Sequence, residues 1–216
     1  MFWTLIGATL MLAVADWVAV SADDRRMERF LKPLVMVALI AAALAMDTAD
    51  PAVARWLVVG ALVLSLAGDV FLLADDRFVA GLASFLVAHL LYIAAFIAMG
   101  VTQDIGFQAG IFILAVAVVA LLMRFVGVRV VKGAVEQDRS LGVAVVAYML
   151  VISLMVAFAA ATGRPAAIVG AVLFYVSDAC IGWSRFVSEF RGQRLVIMTT
   201  YHLAQVALVL SVVGVA

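Results

Sequence analysis

Residues Trp56–Ala74 read WLVVGALVLSLAGDVFLLA, an apolar run broken by one ionisable residue, Asp69. At 1.5 Å per residue this helix is long enough to cross the hydrocarbon core of a bilayer. A charged side chain near the bilayer centre costs about 2.5–3.5 kcal/mol on insertion scales, so Asp69 needs an internal partner or a task. A second stretch, Gly170–Trp183 (GAVLFYVSDACIGW), carries Asp178 in the same way. The only two histidines, His89 and His202, fall in the apolar segments that follow each aspartate. Four ionisable groups in matched apolar settings predict one polar site buried in a membrane protein.

The whole composition agrees. The chain is 68% hydrophobic and 13% charged, with a mean hydropathy of +1.25, outside the balance of a soluble domain. Its net charge is zero, which gives no footprint for nucleic acid. The single Cys180 forms no intrachain disulfide and reads as a small buried apolar residue. Runs able to span are placed at 2–22, 33–49, 56–74, 78–99, 107–124, 141–161, 166–183 and 195–215, the second cut short by Asp47 and Asp50. The first lacks a basic n-region and is too long for a signal peptide, so it reads as a retained helix. The expected fold is an all-α, polytopic membrane protein, one domain of eight transmembrane helices over residues 1–216.

All but two of the fourteen Lys and Arg residues fall in the odd loops; Arg55 and Arg164 are the exceptions. By the positive-inside rule the odd loops face the cytoplasm and both termini lie outside, an orientation read here for a bacterial inner membrane. The halves also match. Gly60-Ala61…Gly68-Asp69…Arg77-Phe78-Val79 answers to Gly170-Ala171…Ser177-Asp178…Arg185-Phe186-Val187, and Lys32 answers to Arg139. A shift of four helices preserves direction, so the match predicts a parallel 4+4 repeat. Asp69 and Asp178 lie roughly 9–10 Å, and His202 about 12 Å, from the odd-loop side, with His89 deeper at ~18 Å. The site should open toward the inner leaflet.

Around these groups Ser65 and Asp69 share a helix face at i,i+4, and Gly68 leaves room for a neighbouring backbone or a ligand. Phe85, His89 and Tyr92 form one stripe, with His89 either a structural hydrogen-bond donor or a catalytic group. Tyr175 and Asp178 are i,i+3, and Ser177 is placed to cap or orient Asp178. Arg185, two turns on, either holds a lipid phosphate or anchors the positive side. Thr199, His202 and Gln205 share a polar stripe from which Tyr201 points away. Lys32 stands beside a helix-starting Pro33 and either contacts a headgroup or ends a loop. Asp16 is a weaker candidate for the same interior, and Asp23, Asp24, Asp75 and Asp76 read as solvated loop charges. No HExxH, no ligand pair at i,i+4, no Gly-x-Ser-x-Gly elbow and no phosphate-binding loop is present, so neither metal nor cofactor is expected.

At these residues the chain resembles the YhhN-like lysoplasmalogenases. The resemblance rests on Lys32-Pro33-Leu34, on Leu64-Ser65-Leu66-Ala67-Gly68-Asp69-Val70-Phe71-Leu72-Leu73, and on Phe78-x-x-Gly81-Leu82-x-x-Phe85-x-x-x-His89-x-x-Tyr92. It continues in Gly170-Ala171-x-x-Phe174-x-x-Ser177-Asp178 and Arg185-Phe186. It implies an eight-helix membrane hydrolase that cleaves the vinyl ether of lysoplasmalogens to a fatty aldehyde and a glycerophospho-ethanolamine or -choline, with Asp69 and Asp178 as catalytic acids. The chemistry suits two carboxyl groups. Protonating the vinyl carbon creates an oxocarbenium ion that water captures, a division of labour like that of glycosidases. Two buried aspartates close together would share one proton, and His89 or His202 would orient the water. The expected partners are a lysophospholipid substrate and membrane lipid, with the oligomeric state left open. The rival reading is a small proton-coupled transporter or lipid scramblase, since intramembrane acids and repeats serve carriers too.

Overall fold

The computed structural model describes residues 1–47, 49, 51–74, 77–102 and 108–214. Asp50, Asp75, Asp76 and Phe107, which enter the readings above, lie outside the described residues. The chain order is α1 (Phe2–Ser21), α2 (Arg25–Leu44), α3 (Ala52–Leu72), α4 (Phe78–Thr102), α5 (Ala109–Leu122), α6 (Val128–Gln137), α7 (Arg139–Ala161), α8 (Pro165–Phe186) and α9 (Gln193–Leu210). A π-helical stretch, Met123–Gly127, joins α5 to α6. Among the described residues the β structure is confined to one bridge, Ala49 to Val213.

Local chemistry sets several boundaries. The Asp24 side chain accepts the Arg26 and Met27 amides at the start of α2, and Asp138 accepts those of Ser140 and Leu141 at the start of α7. Both satisfy amides that have no partner in a helix's first turn. Pro165 occupies the first turn of α8, where its missing N–H is no loss. Two of the loop readings therefore change. Asp24 is a cap rather than a free loop charge, and Asp23 pairs with Arg25 and with Arg194 on α9.

The second span also differs. It begins at Arg25, so Pro33 lies inside α2 rather than at its start. Capping by Asp24 carries the helix through the Arg25–Lys32 charges that read as loop. Similarly, Arg124, Arg129 and Lys132 are not in a loop: the rod α5–π–α6 carries them, and α6 is amphipathic, burying Val130 and Ala134.

Among the described residues six segments are long and apolar enough to cross a membrane: Phe2–Ser21, Ala52–Leu72, Phe78–Gly100, Ala109–Gln137, Arg139–Ala161 and Pro165–Phe186. The chain is an all-helical integral membrane protein. α2 and α9, counted among the eight expected spans, are the two that concentrate polar residues. α9 is wrapped by neighbours, burying Tyr201, His202 and Gln205 along with Ile197, Leu208 and Val209. A helix that faces protein on most sides need not be apolar. The contrast is α5, whose Ile113, Leu114, Val118 and Leu121 are exposed.

Packing follows a ring. α1, α2, α3, α4, α7, α8 and α9 each contact the next, and α9 returns to α1; α5 lies against α7, and α6 against α7 and α8. The closest helix pairs use small residues, as expected where lipid gives no hydrophobic drive between helices. Ala54, Ala61, Ala88 and Ala95 lie buried in α3 and α4; Ala167, Ala171 and Ala204 do so in α8 and α9. Gly170 lets α9 approach so closely that a Cβ there would stand 3.0 Å from the Leu208 backbone nitrogen.

Candidate functional site

Asp69 is sealed between α2, α3 and α9. Its Oδ1 is 2.9 Å from Lys32 Nζ, and the Tyr201 hydroxyl donates to its Oδ2 at 2.6 Å. Both members of the ion pair are buried. Lys32 is thus neither a headgroup ligand nor a loop terminus, and Tyr201, read as pointing away, is Asp69's direct donor. The error has a simple origin: α9 is covered on several faces, so a polar stripe does not single out its buried side. Gly68 gives its space to the Phe85 ring, which a Cβ would meet at 2.6 Å.

Asp178 has a different setting. Tyr148 on α7 donates to its Oδ2, and His89 Nε2 on α4 stands 3.7 Å from the same oxygen, an electrostatic contact longer than a hydrogen bond. His89 is held edge-on to Phe174 and Tyr148, with ring centroids 4.7 and 5.3 Å away. The Asp178 side chain keeps 11% of its surface, against 2% for Asp69. That surface opens into a cleft between α4, α6, α7 and α8, enclosing about 720 Å³ including its mouth. The lining is apolar (Leu82, Phe85, Val130, Ile152 and others) except at Asp178, Tyr148 and Tyr175. The cleft lies toward the ends of α3, α4 and α8 that meet the odd loops.

The two carboxylates have separate donors, so a proton shared directly between them is not part of this arrangement. They are joined by contact through rings: Tyr201 packs on Phe174 at 5.5 Å and Phe174 on His89.

The remaining candidates divide among these surroundings. Tyr175 lines the cleft with Asp178. Arg185 is exposed near the mouth, its guanidinium 5.1 Å from the ring of the lining residue Phe78. Ser177 does not orient Asp178; its hydroxyl donates to the Ile197 carbonyl and ties α8 to α9. Tyr92 lies away from the cleft and donates to Gln205 Oε1 at 2.5 Å. Ser65 is fully buried one turn before Asp69. The Thr199 hydroxyl turns back on its own helix at Leu195 and Val196. His202 stands apart from Asp178, with its Nδ1 accepting from Trp17 Nε1 at 3.1 Å and 4.0 Å from Asp16 Oδ2. The single expected site is therefore three linked clusters. Tyr148 escaped the sequence reading, although all four tyrosines of the chain fall in apolar spans, a signal that was available.

Over residues 27–212 the chain matches the YhhN family. It is 36% identical to lysoplasmalogenase TMEM86B of Mus musculus over 156 residues, 72% of this chain and 63% of that protein. The Homo sapiens TMEM86B is 37% identical over 155 residues, 70% of this chain and 61% of the relative. Lysoplasmalogenase TMEM86A of Bos taurus is 34% identical over 158 residues, covering 70% and 63% respectively. The chain thus spans about three fifths of the length of the curated relatives it matches. No solved structure matches it. The matched region takes in every helix from α3 to α9 and most of α2, with both aspartates and the cleft: the chain belongs to the YhhN family.

Proposed function

We propose that this protein is a lysoplasmalogenase, hydrolysing the vinyl ether of a lysophospholipid within the membrane. The observation that carries the reading is Asp178, bonded by Tyr148 and opening into an apolar cleft; the named activity of the relatives agrees with it. The alkenyl chain lies in the cleft, with the vinyl ether at Asp178 and the headgroup near Arg185. Protonated Asp178 gives its proton to the β-carbon of the vinyl ether, and the ether oxygen's lone pair forms the oxocarbenium ion. Water beside His89 adds to the cationic carbon and yields its proton to the Asp178 carboxylate. The resulting hemiacetal collapses to aldehyde and alcohol, so atoms balance with one water consumed. Asp69, held as the partner of Lys32 and Tyr201, supplies a fixed charge behind the aromatic wall of Phe85 and Phe174. Ser65, Tyr92, Ser177 and His202 support that wall and its helices.

The architecture belonging to this reading is one domain of eight membrane-crossing helices, with odd loops cytoplasmic, in a bacterial inner membrane. α2 and α9 cross as members of the ring, and α6 continues the α5 rod. A 4+4 repeat would relate the α3–α4 hairpin to α8–α9; both pack closely through small residues. The test is incubation of purified protein with lysoplasmalogen and with acyl lysophospholipid. Aldehyde from the first alone supports the reading; fatty acid from the second points to ester hydrolysis instead.

A further inference from the structure

The proposed reaction consumes a water, yet a cleft filled by an alkenyl chain would bar water from that side. Elsewhere in the bundle, five residues with no more than 1% exposure, Asp16, Ser65, His89, His202 and Gln205, hold polar atoms without a hydrogen-bond partner. Both Asp16 oxygens are among them, as is His202 Nε2. Trp17 Nε1 donates to His202 Nδ1, which makes Nδ1 the acceptor and leaves Nε2 to carry the proton. Two bare carboxylate oxygens and one N–H donor at one buried seam form the environment that ordered water occupies in native interiors. Each such group left unmet would carry the full cost of its lost hydration.

The seam has an outer and an inner end. Outward, about two turns along α1 and α9 (~10–12 Å), Arg194 pairs with Asp23 and Glu28 at the odd-loop side. Inward, His202 is next to Tyr201, the donor to Asp69. One turn on, Gln205 accepts from Tyr92, which lies three residues beyond His89 on α4. His89 leaves both ring nitrogens unpartnered by hydrogen bonds and faces Asp178. Polar groups therefore run from the α1–α9 seam to the far side of Asp178, without passing through the cleft.

We infer that Asp16, Trp17 and His202 form a water-binding site at the α1–α9 seam, and that the hydrolytic water reaches Asp178 through this interior route while lipid occupies the cleft. The water's destination rests on the hydrolase reading; the water site does not. α1 lies outside the residues matched to the family, so this site is completed by a helix that the family match leaves out.

Radiolytic hydroxyl-radical footprinting of the full chain in lipid nanodiscs tests the site without turnover. Trp17 and the buried Tyr201 should be oxidised in the wild type, and severalfold less in an Asp16→Leu/His202→Leu variant. An unlabelled Tyr201 in the wild type, or undiminished labelling in the variant, overturns the site. With turnover, Asp16→Leu should lower kcat about tenfold, the equivalent of one lost bridging hydrogen bond, at unchanged KM. Asp16→Asn, which still binds water, should restore most of that rate. Unchanged kcat in a variant whose labelling has fallen overturns the route. A wild type that labels but releases no aldehyde retires the hydrolase reading and leaves the water site standing.

Discussion

Asp69 and Asp178 each accept a hydrogen bond from a tyrosine on another helix, but only Asp69 has a lysine. Lys32 reaches it at 2.9 Å inside a sealed interior, whereas Asp178 has no such cation and borders an apolar cleft. A buried carboxylate tied to a lysine is a structural anion that is costly to unpair. One held by a neutral tyrosine beside a cleft can exchange a proton with what enters. The two acids, placed alike in the sequence, are thus proposed to divide into a fixed charge and a proton carrier.

Mutating the carrier should give the largest effect. Asp178→Asn is expected to lower aldehyde release by about 10³-fold, within the range for a lost general acid, while thermal unfolding in detergent stays near wild type. Residual activity close to normal would break the division. Next, Lys32→Met leaves Asp69 buried with the Tyr201 hydroxyl but without its cation, and should destabilise the fold by about 3–5 kcal/mol. The Lys32→Met/Asp69→Asn double variant should recover much of that loss, a coupling that no Asp178 pair would match. A smaller effect is expected from Gly68→Ala, whose Cβ would meet the Phe85 ring at 2.6 Å. Overpacking of this kind costs about 1–3 kcal/mol. Because Phe85 also lines the cleft, KM for the lipid should rise while Asp178 chemistry persists.

The smallest effect concerns acids outside the membrane. Asp138 is held below the ordinary 3.8 by the Ser140 hydroxyl and then by the Leu141 and Ser140 amides. Asp23 is held low chiefly by Arg194. A depressed folded-state value stabilises above pH 3.8 and is lost as pH falls through that lower value. Both contributions should therefore be complete at about pH 5 and fade only below 3.8, as read from unfolding midpoints. Loss on the alkaline side would contradict the assignment.

Much of this was legible in the sequence because lipid imposes a strong filter. A long apolar run needs no tertiary context, and an aspartate inside one stands out by its cost. Charged helix starts were less visible: Arg25–Lys32 reads as loop until Asp24 caps it and Arg194 pairs across to Glu28. α6 hid for a similar reason, since its Arg129 and Lys132 alternate with apolar residues over a short length. Tyr148 and Tyr201 were missed because a tyrosine in an apolar helix is commonplace until a carboxylate is found opposite it. The partnership of Lys32 with Asp69 joins residues on different helices, and no spacing along one helix can show it.

The proposed division of roles stands on Asp178 protonating the vinyl carbon. Lysoplasmalogen turned over in heavy water, with the aldehyde analysed by mass spectrometry, tests it most directly. The expected result is one deuterium at the carbon next to the aldehyde group in the wild type, and no aldehyde above background from Asp178→Asn. Aldehyde formed without that deuterium, or formed equally well by Asp178→Asn, would contradict it.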